Sequence, residues 1–263
     1  MNIALYKTPE EPGLSLKSRF TFRCHPGLAC FNECCREPTV ILSPYDLLRL
    51  KTRLKLTSGE VLRRFTRRET EEASGLPLVL LKAGEGRGCP FVGPEGCTVY
   101  ADRPAACRLF PITQGSRWTE QGVEDLYFCR RLPFCLGFEG GEEWTVASWA
   151  ANQGFAEYDA GRRPWLEIIL KKGRPGLPPG DPSEPDFFYL AAYDLDNFRK
   201  FVFESAFSQV YGLKAQSLEP LRGDDGGLLK FAYHYLAAAL FAREVRKIRE
   251  ALRAGVPREE TAD

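Results

Sequence analysis

Two groups of apolar residues in the second half of the chain recur at the three- and four-residue spacing of a helix. They are Phe198, Phe201, Val202 and Ala206, and then Leu229, Tyr233, Leu236 and Leu240. The second group continues into a charged run that ends at Arg253, which indicates a long helix. We therefore expect two helices here, one of them long, packed as an antiparallel pair.

The first half of the chain predicts shorter elements with defined ends. Ser43 and Pro44 are an N-cap followed by proline at the first helical position, and they predict a helix through Leu54. Thr57 and Glu60 have the capping-box spacing, which predicts a second helix over 58–68. The remaining predicted elements are strands at 39–42 and 76–82, a β-turn at 93–96, a short helix capped by Asp102 that carries Cys107, and helices at 145–153 and 165–172.

A proline-rich segment separates the two halves. Residues 171–186 contain Pro175, Pro178, Pro179, Pro182 and Pro185, which disfavour both helix and central strand. We expect a cysteine-cluster domain at 15–170, a linker or surface strap at 171–186 and a helical region at 187–256. The predicted fold class is α+β, predominantly helical, with short strands and irregular cysteine-rich loops around a metal centre.

Composition narrows the classes of protein. The 263 residues carry 36 basic and 35 acidic side chains, so the net charge of +1 argues against a nucleic-acid or anionic-membrane binder. The arginines between Arg49 and Arg68 favour a solvated helix face over a phosphate or acidic-partner site. No apolar run is long enough for a membrane helix, and prolines and acidic residues fill 1–13 where a secretory signal needs an apolar core. We expect a soluble, cytoplasmic protein. Its partner or substrate is expected to be another protein, which the sequence does not identify.

Nine cysteines form three groups, and all of them precede residue 136. The groups are Cys24, Cys30, Cys34 and Cys35; Cys89, Cys97 and Cys107; and Cys129 and Cys135. In a reducing compartment such groups indicate metal ligation or redox chemistry rather than disulfides. Several thiolates in one buried place need a soft cation, for which zinc and iron–sulfur clusters are the usual choices. The first group matches neither a ferredoxin nor an ordinary zinc-finger spacing.

The adjacent pair Cys34 and Cys35 cannot both easily reach one small ion, because consecutive side chains point in different directions. Either the two thiols bind different metals, or one is a ligand while the other supports the site or reacts. Nine cysteines allow at most two all-cysteine sites of four ligands, with one cysteine left over, and the pairing stays open.

The second group lies in a longer pattern. It includes Cys89-Pro-Phe, Gly96-Cys97-Thr-Val-Tyr100, Arg103-Pro104 and Cys107-Arg-Leu-Phe-Pro111. Together with the upstream doublet, this pattern resembles the YkgJ-type cysteine-cluster family over about residues 20–140. The resemblance implies a zinc- or iron-chelating domain, usually described as containing an iron–sulfur cluster, in a family with one branch of flagellin lysine N-methylases. Five residues separate Cys24 from Cys30 where the family has a compact Cys-x2-Cys, which weakens the case for Cys24.

The candidate ligands are eight cysteines: Cys24, Cys30, Cys34, Cys35, Cys89, Cys97, Cys107 and Cys135. Cys135 is preferred to Cys129 because Leu136-Gly137 lets backbone amides approach a sulfur. Arg103 and Arg108 are expected to offset the negative charge of the cofactor, and a helix N-terminus is expected to lower the pKa of Cys107.

Neighbouring residues carry weaker predictions. His25 either replaces a cysteine ligand or faces solvent, and His234 is expected to pack in the core. Four residues either screen the centre from water or pack in the core: Phe91, Tyr100, Phe110 and Pro111.

No nucleotide-binding loop, radical S-adenosylmethionine loop, serine elbow or HExxH sequence is present. The first hypothesis is therefore a cytoplasmic protein that binds an iron–sulfur cluster, of the [4Fe–4S] type, with redox activity and a second metal as further options. The second is a zinc-stabilised interaction module, and the third is a lysine N-methylase-like enzyme.

Overall fold

The computed structural model describes residues 2–3, 13–36, 39–84, 88–175, 177 and 181–254. Helices predominate in this part of the chain, and the strands are short, so the α+β prediction is confirmed. The helices are α1 (Pro44–Leu54), α2 (Ser58–Phe65), α3 (Ala105–Leu109), α4 (Val146–Asn152), α5 (Phe155–Lys172), α6 (Glu184–Ala192), α7 (Leu195–Glu204), α8 (Phe207–Val210), α9 (Ala215–Leu218) and α10 (Asp225–Ala254). The strands are β1 (Asn2–Ile3), β2 (Arg19–Phe22), β3 (Ile41–Leu42), β4 (Thr66–Glu71), β5 (Pro77–Leu81), β6 (Val92–Gly93), β7 (Gly96–Cys97), β8 (Ile112–Thr119), β9 (Gly122–Cys129) and β10 (Glu142–Thr145).

The largest sheet has four strands in the order β1-β4-β5-β3. All five residues of β5 are buried, which explains why its sequence is apolar throughout. Three two-stranded antiparallel pairs, β2–β10, β6–β7 and β8–β9, lie outside this sheet. Two of these pairs carry the cysteine segments, because Cys97 ends β7 and Cys129 ends β9.

Local capping explains where the first two helices begin. Ser43 and Asp46 form a complete capping box at α1, and Thr57 and Glu60 form another at α2. The prediction that the second helix reaches residue 68 is wrong at its end. α2 stops at Phe65 because the following residues extend along β5, with Arg67 opposite Leu80.

The short elements near the cysteines lie where the sequence predicted them. The predicted turn at 93–96 connects β6 and β7. α3 begins directly after Pro104 and contains Cys107, but Asp102 does not cap it. The Asp102 carboxylate instead accepts hydrogen bonds of 3.0 and 2.7 Å from Arg49, because a 3-10 turn carries it toward α1.

The predicted helix at 165–172 is the second half of α5. That helix begins at Phe155 and continues through Pro164, a residue that ordinarily ends helices. Gly161 allows this course beside α1, since a Cβ at this position would come within 2.4 Å of the Tyr45 ring.

Two hydrophobic clusters stabilise the fold. The larger joins the four-stranded sheet and α1–α2 to helices α5, α6, α7 and α10. The smaller joins β2, α3 and α4 to the first residues of α5 and of β8. α7 and α10 pack against each other, and α6 packs between β5 and α10. The described part of this region has more helices than the two expected, and α7 ends at Glu204, before Ala206. His234 is exposed on α10, so its predicted core position is wrong; its neighbours Ala232, Tyr233 and Leu236 occupy the buried face.

The larger cluster takes residues from both sides of the proline-rich segment. α6 begins at Glu184, inside that segment, with Pro185 in its first turn. Residues 176 and 178–180 lie outside the described residues. The domain boundaries at 170 and 187 stay a prediction. Among the described helices, none combines the length and apolar character needed to cross a membrane.

Candidate metal centre

Six cysteines line one cavity of about 1200 Å³. They are Cys24, Cys34, Cys35, Cys89, Cys97 and Cys107. All nine cysteines of the chain fall within the described residues, and they are present as thiols. The cavity also reaches the ends of both hydrophobic clusters, so the elements that form the core also position the thiols.

Backbone hydrogen bonds bring the segment before Cys24 to the segment after Cys135. The Arg23 N–H donates to the Gly137 carbonyl at 2.9 Å. The Leu136 N–H donates to Cys30 Sγ at 3.2 Å. Gly137 permits this approach, because a Cβ there would lie 2.6 Å from the Phe22 ring.

The thiols of this first region influence one another. Burial raises the pKa of Cys24 to about 11, and the charges of Cys34, Cys30 and Cys135 add to the rise. Burial also raises the pKa of Cys135, while the Gly137 amide opposes the rise. An amide from the Leu136-Gly137 pair therefore approaches each of two sulfurs, Cys30 and Cys135, in the way the sequence predicted.

A second region gathers Cys35, Cys89 and Cys97. The Cys89 N–H donates to the Cys35 carbonyl at 2.7 Å. Cys97 stands opposite Val92 in the β6–β7 hairpin, and the Val92 N–H donates to the Cys89 carbonyl at 3.1 Å. Burial raises the pKa of Cys89 and the Cys97 charge adds to this, whereas the amides of Phe91 and Val92 favour the thiolate.

Cys107 faces the second region from α3. Solvent reaches its surface within the cavity, yet protein surrounds the thiol, and this burial raises its pKa to about 12. The charges of Cys89, Asp46 and Cys97 add to the rise. The expected lowering by a helix N-terminus is therefore wrong. α3 has only five residues, and desolvation outweighs so short a dipole.

The doublet lies between the two regions in a 3-10 helix, Glu33–Cys35. Three residues complete one turn of such a helix, so consecutive side chains diverge by about 120°. The Cys35 thiol donates to Cys34, which lowers the pKa of Cys34 to about 7 despite its burial. The same hydrogen bond and burial raise the pKa of Cys35.

Cys129 lies at the end of a strand. It pairs with Ile112 across β8–β9 and, like Cys135, packs against the smaller hydrophobic cluster. Neither of these two cysteines lines the cavity, and nor does Cys30. His25 lines the cavity, and its Nδ1 accepts a hydrogen bond from the Gly27 N–H at 3.2 Å. His25 is exposed, in agreement with the solvent-facing alternative, and its role as a ligand stays a prediction.

The two predicted arginines line the cavity and are buried. Arg103 donates to the Tyr100 carbonyl and to Gln153 Oε1 at 2.7 and 2.6 Å. Burial raises the pKa of Cys97, and the Arg103 charge opposes part of this rise. Arg108 donates to the carbonyls of Gln153 and Ala101 at 2.7 and 2.6 Å. Arg103 thus acts on a thiol, while Arg108 holds together the loops behind the cavity.

The aromatic residues divide between the two expected roles. Phe91 is 4% exposed and lines the cavity, and the partly buried Phe110 lines it as well. Pro111 is buried outside the cavity lining. Tyr100 also lines the cavity, although it is 61% exposed, and the Arg103 guanidinium lies 3.9 Å from its ring centroid.

Asp46 was not among the predicted site residues, yet its carboxylate lines the cavity and the residue is 1% exposed. Its Oδ2 accepts hydrogen bonds from the Ser43 N–H and hydroxyl at 2.8 and 2.7 Å. Its Oδ1 accepts from the Ala105 N–H at 2.8 Å. Asp46 therefore connects α1 to the helix that carries Cys107. The Ser43-x-x-Asp46 spacing is a capping signal that pointed to this residue.

The donor set suits a thiophilic metal. Within the described residues, no three His, Cys, Asp or Glu side chains stand close enough to hold a single ion as they are placed. The donors around the cavity are mainly sulfur, which suits zinc and iron–sulfur clusters better than magnesium or calcium. Amide groups beside Cys30, Cys89 and Cys135 supply the N–H donors that stabilise metal-bound thiolates.

Comparison with known proteins identifies the cysteine segments. Residues 23–135 match the CxxCxxCC family model, whose description is "Putative zinc- or iron-chelating domain". The match begins just before Cys24 and ends at Cys135, so it contains all nine cysteines. No curated protein and no solved structure gives a significant match to the chain. The family match supports a metal-binding role and leaves zinc and iron as alternatives.

Proposed function

From the premise that residues 23–135 belong to the CxxCxxCC family of zinc- or iron-chelating domains, we propose that this protein binds an iron–sulfur cluster through its clustered thiolates. The cluster is of the [4Fe–4S] type, and the protein works in the cytoplasm. The observation that carries the proposal is the convergence of six thiols from the first two cysteine groups on one cavity wall, with the backbone amides of Phe91 and Val92 directed at the Cys89 sulfur.

The chain's own residues would prepare the site in three ways. Cysteine sulfurs supply the ligands, and the amide of Leu136 stabilises negative charge on Cys30. Arg103 places a positive charge near Cys97 and Cys107. Phe91 and Phe110 cover part of the cavity wall with apolar surface, which lowers the local dielectric. The bound cluster would supply one-electron redox chemistry.

The test is anaerobic purification of the full chain, followed by measurement of iron, zinc and acid-labile sulfide together with a visible absorption spectrum. We expect a coloured protein with matching iron and sulfide and broad sulfur-to-iron charge-transfer absorption. Stoichiometric zinc in a colourless, sulfide-free protein would contradict the cluster.

The zinc-stabilised module is the second candidate, because a donor set made mainly of sulfur suits zinc as well as iron. Zinc would then stabilise the fold, and function would be sought on the surface of the helical region. Iron reconstitution of the metal-free chain under anaerobic conditions separates the candidates. Formation of a stable, coloured, sulfide-containing species supports the cluster, whereas preferential retention of zinc in competition with iron and sulfide supports the module.

A further inference from the structure

We propose that Cys30 and Cys135 form a reversible disulfide with each other, and that a small-molecule disulfide such as oxidised glutathione is the oxidant. Both cysteines lie outside the cavity wall on which the other six candidate thiols converge. Closure of the bond takes their two sulfurs out of the candidate ligands and leaves six on the wall, more than the four that one centre needs. The inference goes beyond the proposed function, because it assigns a covalent modification to the family segment.

Backbone contacts hold the two ends of the family segment together. The Arg23 N–H donates to the Gly137 carbonyl at 2.9 Å. The ring centroids of Phe22 and Phe138, which flank this hydrogen bond, lie 5.1 Å apart. β2 also pairs with β10, so the chain that leaves β2 and the chain that enters β10 pass through the same place. Cys30 and Cys135 belong to these two stretches of chain.

The sulfur of Cys30 lies directly beside Cys135. Cys135 precedes the 3-10 turn Leu136–Phe138, and the first amides of such a turn have no acceptor within it. The Leu136 N–H donates to Cys30 Sγ at 3.2 Å instead. Because the Leu136 nitrogen is bonded to the carbonyl carbon of Cys135, this contact brings the Cys30 sulfur against Cys135. The Cys135 thiol in turn donates a hydrogen bond to Cys30.

These contacts give the two sulfurs different parts in thiol–disulfide exchange. Cys30 accepts hydrogen bonds from an amide and from a thiol, and both donors stabilise negative charge on its sulfur. Cys135 is the proton donor of the pair, and burial raises its pKa. Both residues are partly exposed, so a small disulfide has access to them. Cys30 is therefore the sulfur that attacks the oxidant, and Cys135 is the sulfur that resolves the intermediate.

The reaction consists of two exchange steps. The Cys30 thiolate, whose proton has gone to solvent, attacks one sulfur of oxidised glutathione. A bond between Cys30 and glutathione forms, the disulfide bond of the reagent breaks, and one glutathione thiolate leaves. Cys135 gives its proton to that thiolate and attacks the Cys30 sulfur, and the second glutathione leaves as a thiolate that takes a proton from solvent. The two cysteines together lose two electrons, and oxidised glutathione gains them as it becomes two thiols.

Other cysteines of the segment are less suited to this reaction. Cys34 and Cys35 are also in hydrogen-bond contact, but they line the cavity. A disulfide between adjacent residues also closes a small ring that forces the intervening peptide away from planarity. Cys129 lies outside the cavity wall, at the end of β9. It is the matched control, because its replacement leaves both Cys30 and Cys135 in place.

The experiment compares four full-length chains purified anaerobically with their metal: wild type, C30S, C135S and C129S. Each chain is equilibrated with a mixture of oxidised and reduced glutathione, free thiols are blocked by alkylation, and disulfide-linked peptides are mapped by mass spectrometry. Metal per chain is counted before and after. We expect the bond between Cys30 and Cys135 in wild type and in C129S, with unchanged metal content and with reversal by excess reduced glutathione.

The two single variants distinguish the attacking sulfur from the resolving sulfur. In C135S the reaction should stop after its first step, which leaves glutathione bound to Cys30. In C30S we expect Cys135 to be recovered as an alkylated thiol. If a variant does not fold, the peptide map of wild type decides by itself.

Two results would overturn the inference and leave the proposed metal binding intact. One is a wild-type map without the bond between Cys30 and Cys135, or with either residue bonded mainly to a cysteine of the cavity wall. The other is closure of the bond with matching loss of metal, since both sulfurs would then be required ligands. Absence of metal from the purified chain would contradict the proposed function, and the peptide map would still decide the disulfide.

Discussion

The helical region and the cysteine segments are stabilised by different interactions. In the helical region, Phe198, Phe207 and Phe231 pack edge to face or stacked, and the first two are almost completely buried. Around the cavity, by contrast, short irregular segments place thiols whose pKa values burial raises. The helical region therefore obtains its folding free energy from apolar burial, whereas we expect the cysteine segments to depend in addition on a metal that neutralises their sulfurs.

Metal removal should have the largest effect and should be confined to the cysteine segments. Binding of structural zinc to small domains contributes on the order of 10 kcal/mol to folding, so the loss far exceeds that of a typical substitution. We expect hydrogen exchange to accelerate at least about tenfold in residues 23–36 and 88–107 after chelation. Protection in α6 and α7 should stay near that of the untreated protein.

The control for this prediction is C129S, which should exchange like wild type before chelation. Equal acceleration in the cysteine segments and in α7 would show that the two regions do not differ in what stabilises them.

Phe198→Ala should give the reverse pattern. Removing a fully buried phenyl ring from the aromatic cluster should destabilise the chain by about 3–5 kcal/mol, because it leaves a cavity between α7 and α10. Metal content per folded chain should stay at the wild-type value. Denaturant unfolding and metal analysis of the same sample measure both quantities, and a proportionate loss of metal would contradict the separation of the regions.

Asp46→Asn tests a residue that contacts both regions. The amide would direct N–H groups at a carboxylate position that accepts donors from Ser43 and Ala105, so about 1–3 kcal/mol of stability should be lost. The helix that carries Cys107 would also loosen, and we expect faster metal loss to a chelator.

Ser43→Ala is the matched control for Asp46→Asn. It removes one hydroxyl donor to Asp46 and the α1 cap but keeps the bond to Ala105, so it should cost about 1 kcal/mol without accelerating metal loss. Equal rates of metal loss from both variants would show that Asp46 does not hold the Cys107 helix in place for metal binding.

Substitution of Asp196 should have the smallest effect, which should appear as a change in how the free energy of unfolding depends on pH. Burial raises the pKa of Asp196, but the Lys51 ion pair at 2.7 Å and the Ser58 N–H at 2.6 Å outweigh burial and lower the pKa overall. A lowered pKa contributes stability that is present above the ordinary value and lost as the pH falls through the folded value.

We therefore expect wild type to lose up to about 1 kcal/mol more stability than Asp196→Asn between about pH 5 and pH 3. Denaturant titrations of the two proteins at each pH supply the difference. If the stability of the two proteins changed with pH in the same way, the Asp196 contacts that join α1, α2 and α7 would not contribute to the pH dependence of folding.

Elements with local signals were predicted well from the sequence. The starts of α1 and α2 follow from capping residues within four positions of the helix, and β5 follows from an uninterrupted apolar run. The end of α2 was missed because Arg67 pairs with Leu80, a partner thirteen residues away that competes with helix continuation.

The candidate site also combines features that local sequence predicts with features that depend on distant residues. Sequence spacing identified the cysteine groups, whereas the hydrogen bond that keeps the Cys35 thiol in contact with Cys34 was not expected. The partners of each thiol depend on long-range contacts such as Arg23 with Gly137, which spacing does not encode. The expected pKa of Cys107 failed for the same reason, since burial by distant segments outweighed a local helix dipole.

X-ray absorption at the metal edge of the anaerobically purified full chain measures which atoms bind the metal and at what distance. We predict a first shell made only of sulfur, at about 2.3 Å for zinc or for iron in a cluster, with an additional iron–iron distance if clusters are present. A first shell dominated by nitrogen or oxygen would contradict the conclusion that these cysteines form the metal centre.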